Sequence, residues 1–258
     1  MVSMKAITEL EYLASHCWPA RVVERYKGWI IHWNDGITWR ANSVLPIGPI
    51  SDVQLEEAIE HVISFYNDRQ TPAAFKVTEA SIPEDIDETL ADMGFEKRMM
   101  THVQIIQIDE LSCIYPRVPV DILKVNNDSI NTLMFESGFN ETTIKVRKEI
   151  INRIEGEKGI ARVMIDGRLA GVGLGVVQES WLGLFSIRTL PEYQRRGVAW
   201  SISCALGMWG EDLGAKSAFL QVEAINVPAL ALYESMGFET MYTYWYRILD
   251  SRKRTVTS

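Results

Sequence analysis

Two short stretches of this sequence combine residue types and spacings suited to chemistry. In the first, Gln194, Arg195, Arg196, Gly197, Val198 and Ala199 stand where a strand-like run, residues 182–189, gives way through Pro191 to a helical one. A helix N-terminus presents unpaired N–H groups and a partial positive charge, so it attracts anions. Gly197 and Ala199 keep bulk away from that backbone, and Arg195 and Arg196 add charge. A phosphate group suits such a loop. The stretch has neither the Gly-Lys-Ser/Thr of a P-loop nor the Gly-x-Gly-x-x-Gly of a dinucleotide fold, and by itself an ordinary helix start explains it equally well. The second stretch directly follows the next strand: Asn226 as cap, Pro228 in the first turn and Gly237 as terminator of a helix that carries Tyr233. Tyr233 has spare chemistry, a phenol with a proton to give, although Ala229 and Met236 on its side of the helix also suit a core tyrosine.

The elements around these stretches occur twice. Ala91 to Glu96 (Ala-Asp-Met-Gly-Phe-Glu) answers Glu234 to Glu239 (Glu-Ser-Met-Gly-Phe-Glu), 143 residues later. Before the second copy run a helical segment, 198–213, with Val198, Ile202, Leu206 and Trp209 at helical spacing, and a strand-like segment, 218–222. Before the first copy run a helical segment, 54–67, with Leu55, Ala58, Ile59, Val62, Ile63 and Tyr66 on one face, and a strand-like segment, 74–77. β-type sequence follows each copy, at 99–108 and 242–249. A repeat of this length means duplicated domains rather than a solenoid. The remaining strands are expected at 22–33 and 36–44, joined by an Asn34-Asp35-Gly36 turn, and at 118–125, 160–165, 169–177 and 181–189, with Asp166-Gly167 as a turn. The fold class is therefore α/β (α+β), two domains of mixed, mostly antiparallel sheet flanked by helices, divided near 111–116 into residues 1–112 and 113–258.

Composition removes other classes. With 47% hydrophobic and 23% charged residues the chain reads as globular and soluble. No apolar run approaches the ~20 residues of a membrane span, and residues 1–11 lack a signal-peptide core, so a cytoplasmic protein without membrane contact is expected. A net charge of -8 argues against nucleic-acid binding. Three dispersed cysteines, Cys17, Cys113 and Cys204, make neither a disulfide framework nor a metal site. All four histidines lie in the first 102 residues, so chemistry in the second half runs without histidine. Arg252, Lys253 and Arg254 read as a solvated tail, and the tryptophans read as core, although the Trp39 to Val44 stretch could face a cleft.

Together, Gln194-Arg195-Arg196-Gly197-Val198-Ala199 and the Asn226…Ala229…Leu232-Tyr233…Gly237-Phe238 pattern resemble the Gcn5-related N-acetyltransferase (GNAT) superfamily, in the right order and spacing, over about residues 118–249. The first half resembles a degenerate copy, because residues 47–54 lack the Arg-Gly run and Asp52 would repel a phosphate. The resemblance implies a splayed parallel strand pair that takes acetyl-coenzyme A, with its pyrophosphate on Gln194 to Ala199 and its pantetheine arm along the backbone of Ile187, Arg188 and Thr189. Asn226 would contact the cofactor. The amine would attack directly, with no covalent enzyme intermediate and no metal, and Tyr233 would protonate the leaving thiolate. For the general base, Glu223 at its strand end, Glu136 or Glu141 beside the acceptor entrance, and a water relay all remain open. The implied activity is acetyl transfer to a primary amine, on a small molecule or a peptide N-terminus, by a monomer or homodimer. A non-catalytic acyl-coenzyme A sensor and a longer acyl donor are the alternatives.

Overall fold

The computed structural model describes residues 2–51 and 53–250, so the expectations placed on Asp52 and on the Arg252–Arg254 tail lie outside the described residues. The described chain groups into two compact units. One holds the residues up to Thr101 together with those from Tyr242 on, and the other holds His102–Met241. The division expected between residues 112 and 113 thus falls inside the second unit, and the end of the last strand groups with the first.

The first half begins with α1 (Met4–Cys17), capped by Ser3, whose hydroxyl accepts from the Ala6 N–H at 3.2 Å. There follow β1 (Val22–Tyr26), β2 (Trp29–Trp33), β3 (Val44–Leu45), α2 (Leu55–Asn67), β4 (Ala73–Val77), α3 (Ile86–Asp92) and β5 (Glu96–Gln107). β1 and β2 form a hairpin that turns at Lys27–Gly28, not at Asn34–Gly36. Any side chain on Gly28 would lie 2.4 Å from the Gly48 backbone, which fixes the turn there. The expected strand 36–44 is instead a closed loop with a 3-10 turn at Trp39–Ala41. The buried Asn42 amide ties it shut, accepting from the Asn34 and Gly36 N–H groups (2.7 and 3.0 Å) and donating to the Ile37 and Thr38 carbonyls (2.6 and 2.8 Å). Satisfied from within, that backbone has no need of a ladder.

The second half contains α4 (Ile108–Ser112), β6 (Asp121–Lys124), α5 (Asn127–Met134), α6 (Glu141–Arg153), β7 (Glu157–Ile165), β8 (Arg168–Gln178), β9 (Trp181–Thr189), α7 (Val198–Asp212), β10 (Ser217–Glu223), α8 (Val227–Ser235) and β11 (Glu239–Leu249). β6 starts later than expected because the Arg117 and Val118 N–H groups donate to the Ser201 hydroxyl (2.8 and 3.0 Å) rather than to a strand.

In the first unit the strand order is β1-β2-β3-β4-β11, with β3 parallel to β4 and the Trp245–Leu249 end of β11 antiparallel to β4. Its core holds Trp29, Phe75, Ile59, Tyr66 and Leu90. Beside the core a buried ion pair joins Lys76 to Glu11, and the Tyr242 hydroxyl donates to the same carboxylate at 2.7 Å. In the second unit β6, β7, β8 and β9 run antiparallel in sequence, β10 joins β9 in parallel, and the 102–107 part of β5 lies beside β10. α7 packs closely on β8 at Gly171 and Gly173. A Cβ on Gly173 would stand 2.6 Å from Ile202 Cγ2 and 3.1 Å from Ile187 Cγ1.

The repeat seen in the sequence is a repeat of structure. Gln54 and Gly197 are the N-caps of α2 and α7, and Glu96 and Glu239 open β5 and β11, each pair 143 residues apart.

Candidate active site

β9 and β10 pair only from Trp181 to Leu184 and from Ser217 to Leu220. Beyond that register β9 continues to Thr189 along β8 while β10 continues to Glu223, so the two parallel strands part. On the parted stretch β9 carries a bulge. The register on β8 steps from Leu174↔Phe185 to Val172↔Arg188, and Ser186 adopts a left-handed φ of 51°. A bulge leaves its extra residue outside the ladder, which frees the backbone around Ser186 and Ile187. A left-handed non-glycine residue costs roughly 1–3 kcal/mol and is held only where its surroundings fix it. Here Ile187 packs against the bare face of Gly173.

β9 leads through a 3-10 turn at Pro191–Tyr193 into the loop predicted to hold phosphate. Arg195 and Gly197 are both left-handed (φ 61° and 78°), and Gly197 caps α7 without any side-chain bond. Such a run turns successive N–H groups inward to form an anion-binding concavity, and the first-turn N–H groups of Val198, Ala199 and Trp200 have no acceptor within the helix. Gln194, Arg195 and Arg196 are exposed around it. Arg117 completes the rim. Its stem is where a Gly197 side chain would go (3.0 Å from Cδ), and its guanidinium lies 4.0 Å over the Trp200 ring. Sequence reading missed Arg117, which is 80 residues away along the chain and sits in no motif.

The other predicted residues fall as follows. The Arg188 guanidinium turns away from the loop and donates to the Leu133 carbonyl at 3.3 Å and to the Phe135 carbonyl, anchoring the end of α5 to β9. Burial lowers its pKa, against the raising effect of Glu136. Its backbone alone lines the parted strand. Thr189 Oγ1 is buried with no hydrogen-bond partner among the described residues. Asn226 caps α8, accepting from the Ala229 N–H at 3.3 Å, and its own N–H donates to the Glu223 carbonyl at 2.8 Å. Glu223 itself is exposed at the end of β10.

Tyr233 is 8% exposed and packs edge-on against Phe238, ring centroids 5.6 Å apart. Burial pushes its phenol up to about 12, so it stays protonated at neutral pH. It belongs to the same apolar core as Leu190, Tyr193, Val198 and Val222. Glu136 is left-handed (φ 47°) just after α5, and Glu141 opens α6. Cys204 is buried in α7, its thiol pushed up to about 11 by burial, which removes it as a nucleophile. Among the described residues no group of three His, Cys, Asp or Glu is placed to hold a metal ion, and no helix is long and apolar enough to cross a membrane.

The left-handed pair at Arg195 and Gly197, the free first-turn amides and the unmet Thr189 hydroxyl together fit a phosphate-bearing group.

Known proteins resemble this chain over most of its length. The model of a family described as "Probable histone acetyltransferase Rv0428c C-terminal" matches residues 5–247. An uncharacterized N-acetyltransferase, YobR of Bacillus subtilis (strain 168), is 28% identical over 261 residues, covering 95% of this chain and 99% of that protein. Among solved structures, a GCN5-related N-acetyltransferase from Kribbella flavida superposes with a TM-score of 0.70 at 13% identity, over 97% of this chain and 96% of that one. A tandem GNAT protein from the clavulanic acid biosynthesis pathway, solved without AcCoA, gives 0.57 at 13% identity, over 93% of this chain and 87% of that one.

Proposed function

The chain belongs to the family of the Rv0428c acetyltransferase C-terminal region, within the GNAT superfamily of N-acetyltransferases, and we propose that it moves an acetyl group from acetyl-coenzyme A to a primary amine by direct attack, using the site in its second half. The observation that carries this reading is the parting of β9 from β10 after Leu184 and Leu220, which leads straight into the left-handed Arg195–Gly197 loop. The first half is read as a degenerate GNAT-like domain, since Gln54 stands where α7 has Gly197 and Leu90 where α8 has Tyr233.

Acetyl-coenzyme A supplies the activated acyl group. The N–H groups of Val198 to Trp200 bind its pyrophosphate, with Arg117, Arg195 and Arg196 neutralising charge. Thr189 and the backbone of Ile187 to Thr189 hold the pantetheine arm. The Ser186–Ile187 bulge presents an N–H to the reacting carbonyl, a fixed donor of the oxyanion-hole kind. Tyr233 gives its proton to the departing sulfur. A thiol near pKa 8.5 and a phenol near 10 are mismatched in water, but a site that disfavours phenolate disfavours thiolate as well. Glu223, exposed beyond the end of β10, is the carboxylate assigned to draw the proton from the amine, through water.

Mass spectrometry of a panel of primary amines incubated with the protein and acetyl-coenzyme A tests this. The expected result is a product heavier by one acetyl group, with stoichiometric thiol release that needs the amine. Thiol release with no acetylated amine would overturn it.

A further inference from the structure

On the side of α8 that meets the end of β5 and the start of β11, the second unit carries an open cavity of about 580 Å³. Its lining includes His102, Gln104, Leu230, Glu234, Phe238 and Glu239, none of which belongs to the loop at 194–199 or to β9. Its two carboxylates share one sign, beside the His102 ring and the Thr240 hydroxyl that also line it. Glu234 and Glu239 are exposed carboxylates, and α8 ends here at Ser235 with Met236 as its cap, where a helix carries partial negative charge. Gln104 is 5% exposed; its amide Nε2 donates to the Thr240 hydroxyl at 3.3 Å, while Oε1 is buried with no hydrogen-bond partner among the described residues. A buried acceptor left unmet is unfavourable, and an N–H donor relieves it. Leu230 and Phe238 supply an apolar wall. The cavity is far larger than a bare metal ion.

We propose that this cavity is a second ligand site, one that takes an organic cation bearing an ammonium or guanidinium group. The N–H groups of the ligand reach Gln104 Oε1, Glu234 and Glu239 balance its charge, and its alkyl part lies against Leu230 and Phe238. Phe238 also packs on Tyr233, so the two sites share α8. The proposal does not depend on acetyl transfer.

Calorimetry on the full chain without acetyl-coenzyme A tests it, with N-acetyl-arginine amide and isoamylammonium as probes. The first carries a guanidinium and no acceptor amine, and the second is a free alkylamine. One-to-one binding is expected for at least one of them. The tighter probe tells whether an arginine side chain or a free amine is the better source. A Glu234→Gln/Glu239→Gln double variant and Gln104→Leu should each weaken binding about tenfold or more, with thermal unfolding unchanged in the double variant. Gly197→Glu should leave it intact, which separates this site from the phosphate loop. Three results would overturn the proposal: no binding of either probe at about 10 mM, wild-type affinity in the double variant, or equal affinity for N-acetyl-citrulline amide. Gln104→Leu that stabilises the fold while binding as tightly would overturn the role given to Oε1.

Discussion

Leu90 and Tyr233 occupy the same position in two copies of one helix-to-strand corner. The carbonyl of each accepts from the N–H of a buried phenylalanine five residues on, Phe95 at 2.9 Å and Phe238 at 3.0 Å, across a left-handed glycine. The corner is built the same way in both halves, and only the second keeps a phenol in it. The hydroxyl is therefore not needed to build the corner, and Tyr233→Phe should fold normally. Its turnover should fall roughly 100-fold, the usual contribution of a positioned acid, with calorimetric affinity for acetyl-coenzyme A unchanged. Steady-state kinetics beside calorimetry checks this, and equal loss of affinity and turnover would place Tyr233 in binding instead.

Gly173 holds both the α7 contact and the β9 bulge. Gly173→Ala should destabilise the protein by about 1–3 kcal/mol, the range for overpacking, and should raise KM for acetyl-coenzyme A as Ile187 shifts. Ile202→Ala removes the atom 2.6 Å away, so the double variant should lose less stability than the two single losses summed. Urea denaturation of the single and double variants reads this out, and additive losses would contradict it.

Much of this arrangement is legible in the sequence because local rules agree with tertiary ones. Asn226 and Gly237 bracket α8, Gly197 and Gly214 bracket α7, and the 143-residue interval marks the duplication. Asn34-Asp35-Gly36 has turn composition, whereas the hairpin turns at Lys27–Gly28, where Gly28 meets the Gly48 backbone 20 residues away and leaves no room for a side chain. Likewise the closed loop before β3 depends on the single side chain of Asn42. Arg117 and the pairing of β11 with β4 depend on contacts 80 or more residues apart along the chain, where periodicity carries no information.

His32 is buried, its Nδ1 donating to the Ser43 carbonyl at 3.2 Å, and burial lowers its pKa from 6.5 to about 4. The folded state therefore stays neutral at this site while the unfolded chain takes up a proton below pH 6.5. Stability is full above about 6.5 and is lost as pH falls toward 4, by roughly 3 kcal/mol in all. Urea midpoints between pH 7 and 4 should show this fall, and it should be smaller in His32→Gln. An identical fall in the variant would assign it to other groups.

Glu11 is the sole carboxylate paired with the buried Lys76 ammonium among the described residues. Glu11→Leu should cost about 3–5 kcal/mol by leaving that charge unpaired, and Glu11→Leu/Lys76→Met should recover most of it. Denaturation midpoints decide, and a double variant no better than the single would show that the Tyr242 contact, not the charge, carries the effect.

The central claim, one acetyl-coenzyme A site on the Arg195–Gly197 loop of the second half, is tested most directly by calorimetric titration of the whole chain and of its Gly197→Glu variant. A side chain there meets Arg117 and brings negative charge to the anion site. One site per chain in the wild type and none in the variant is the predicted result. Two sites, or binding that survives Gly197→Glu, would contradict the account.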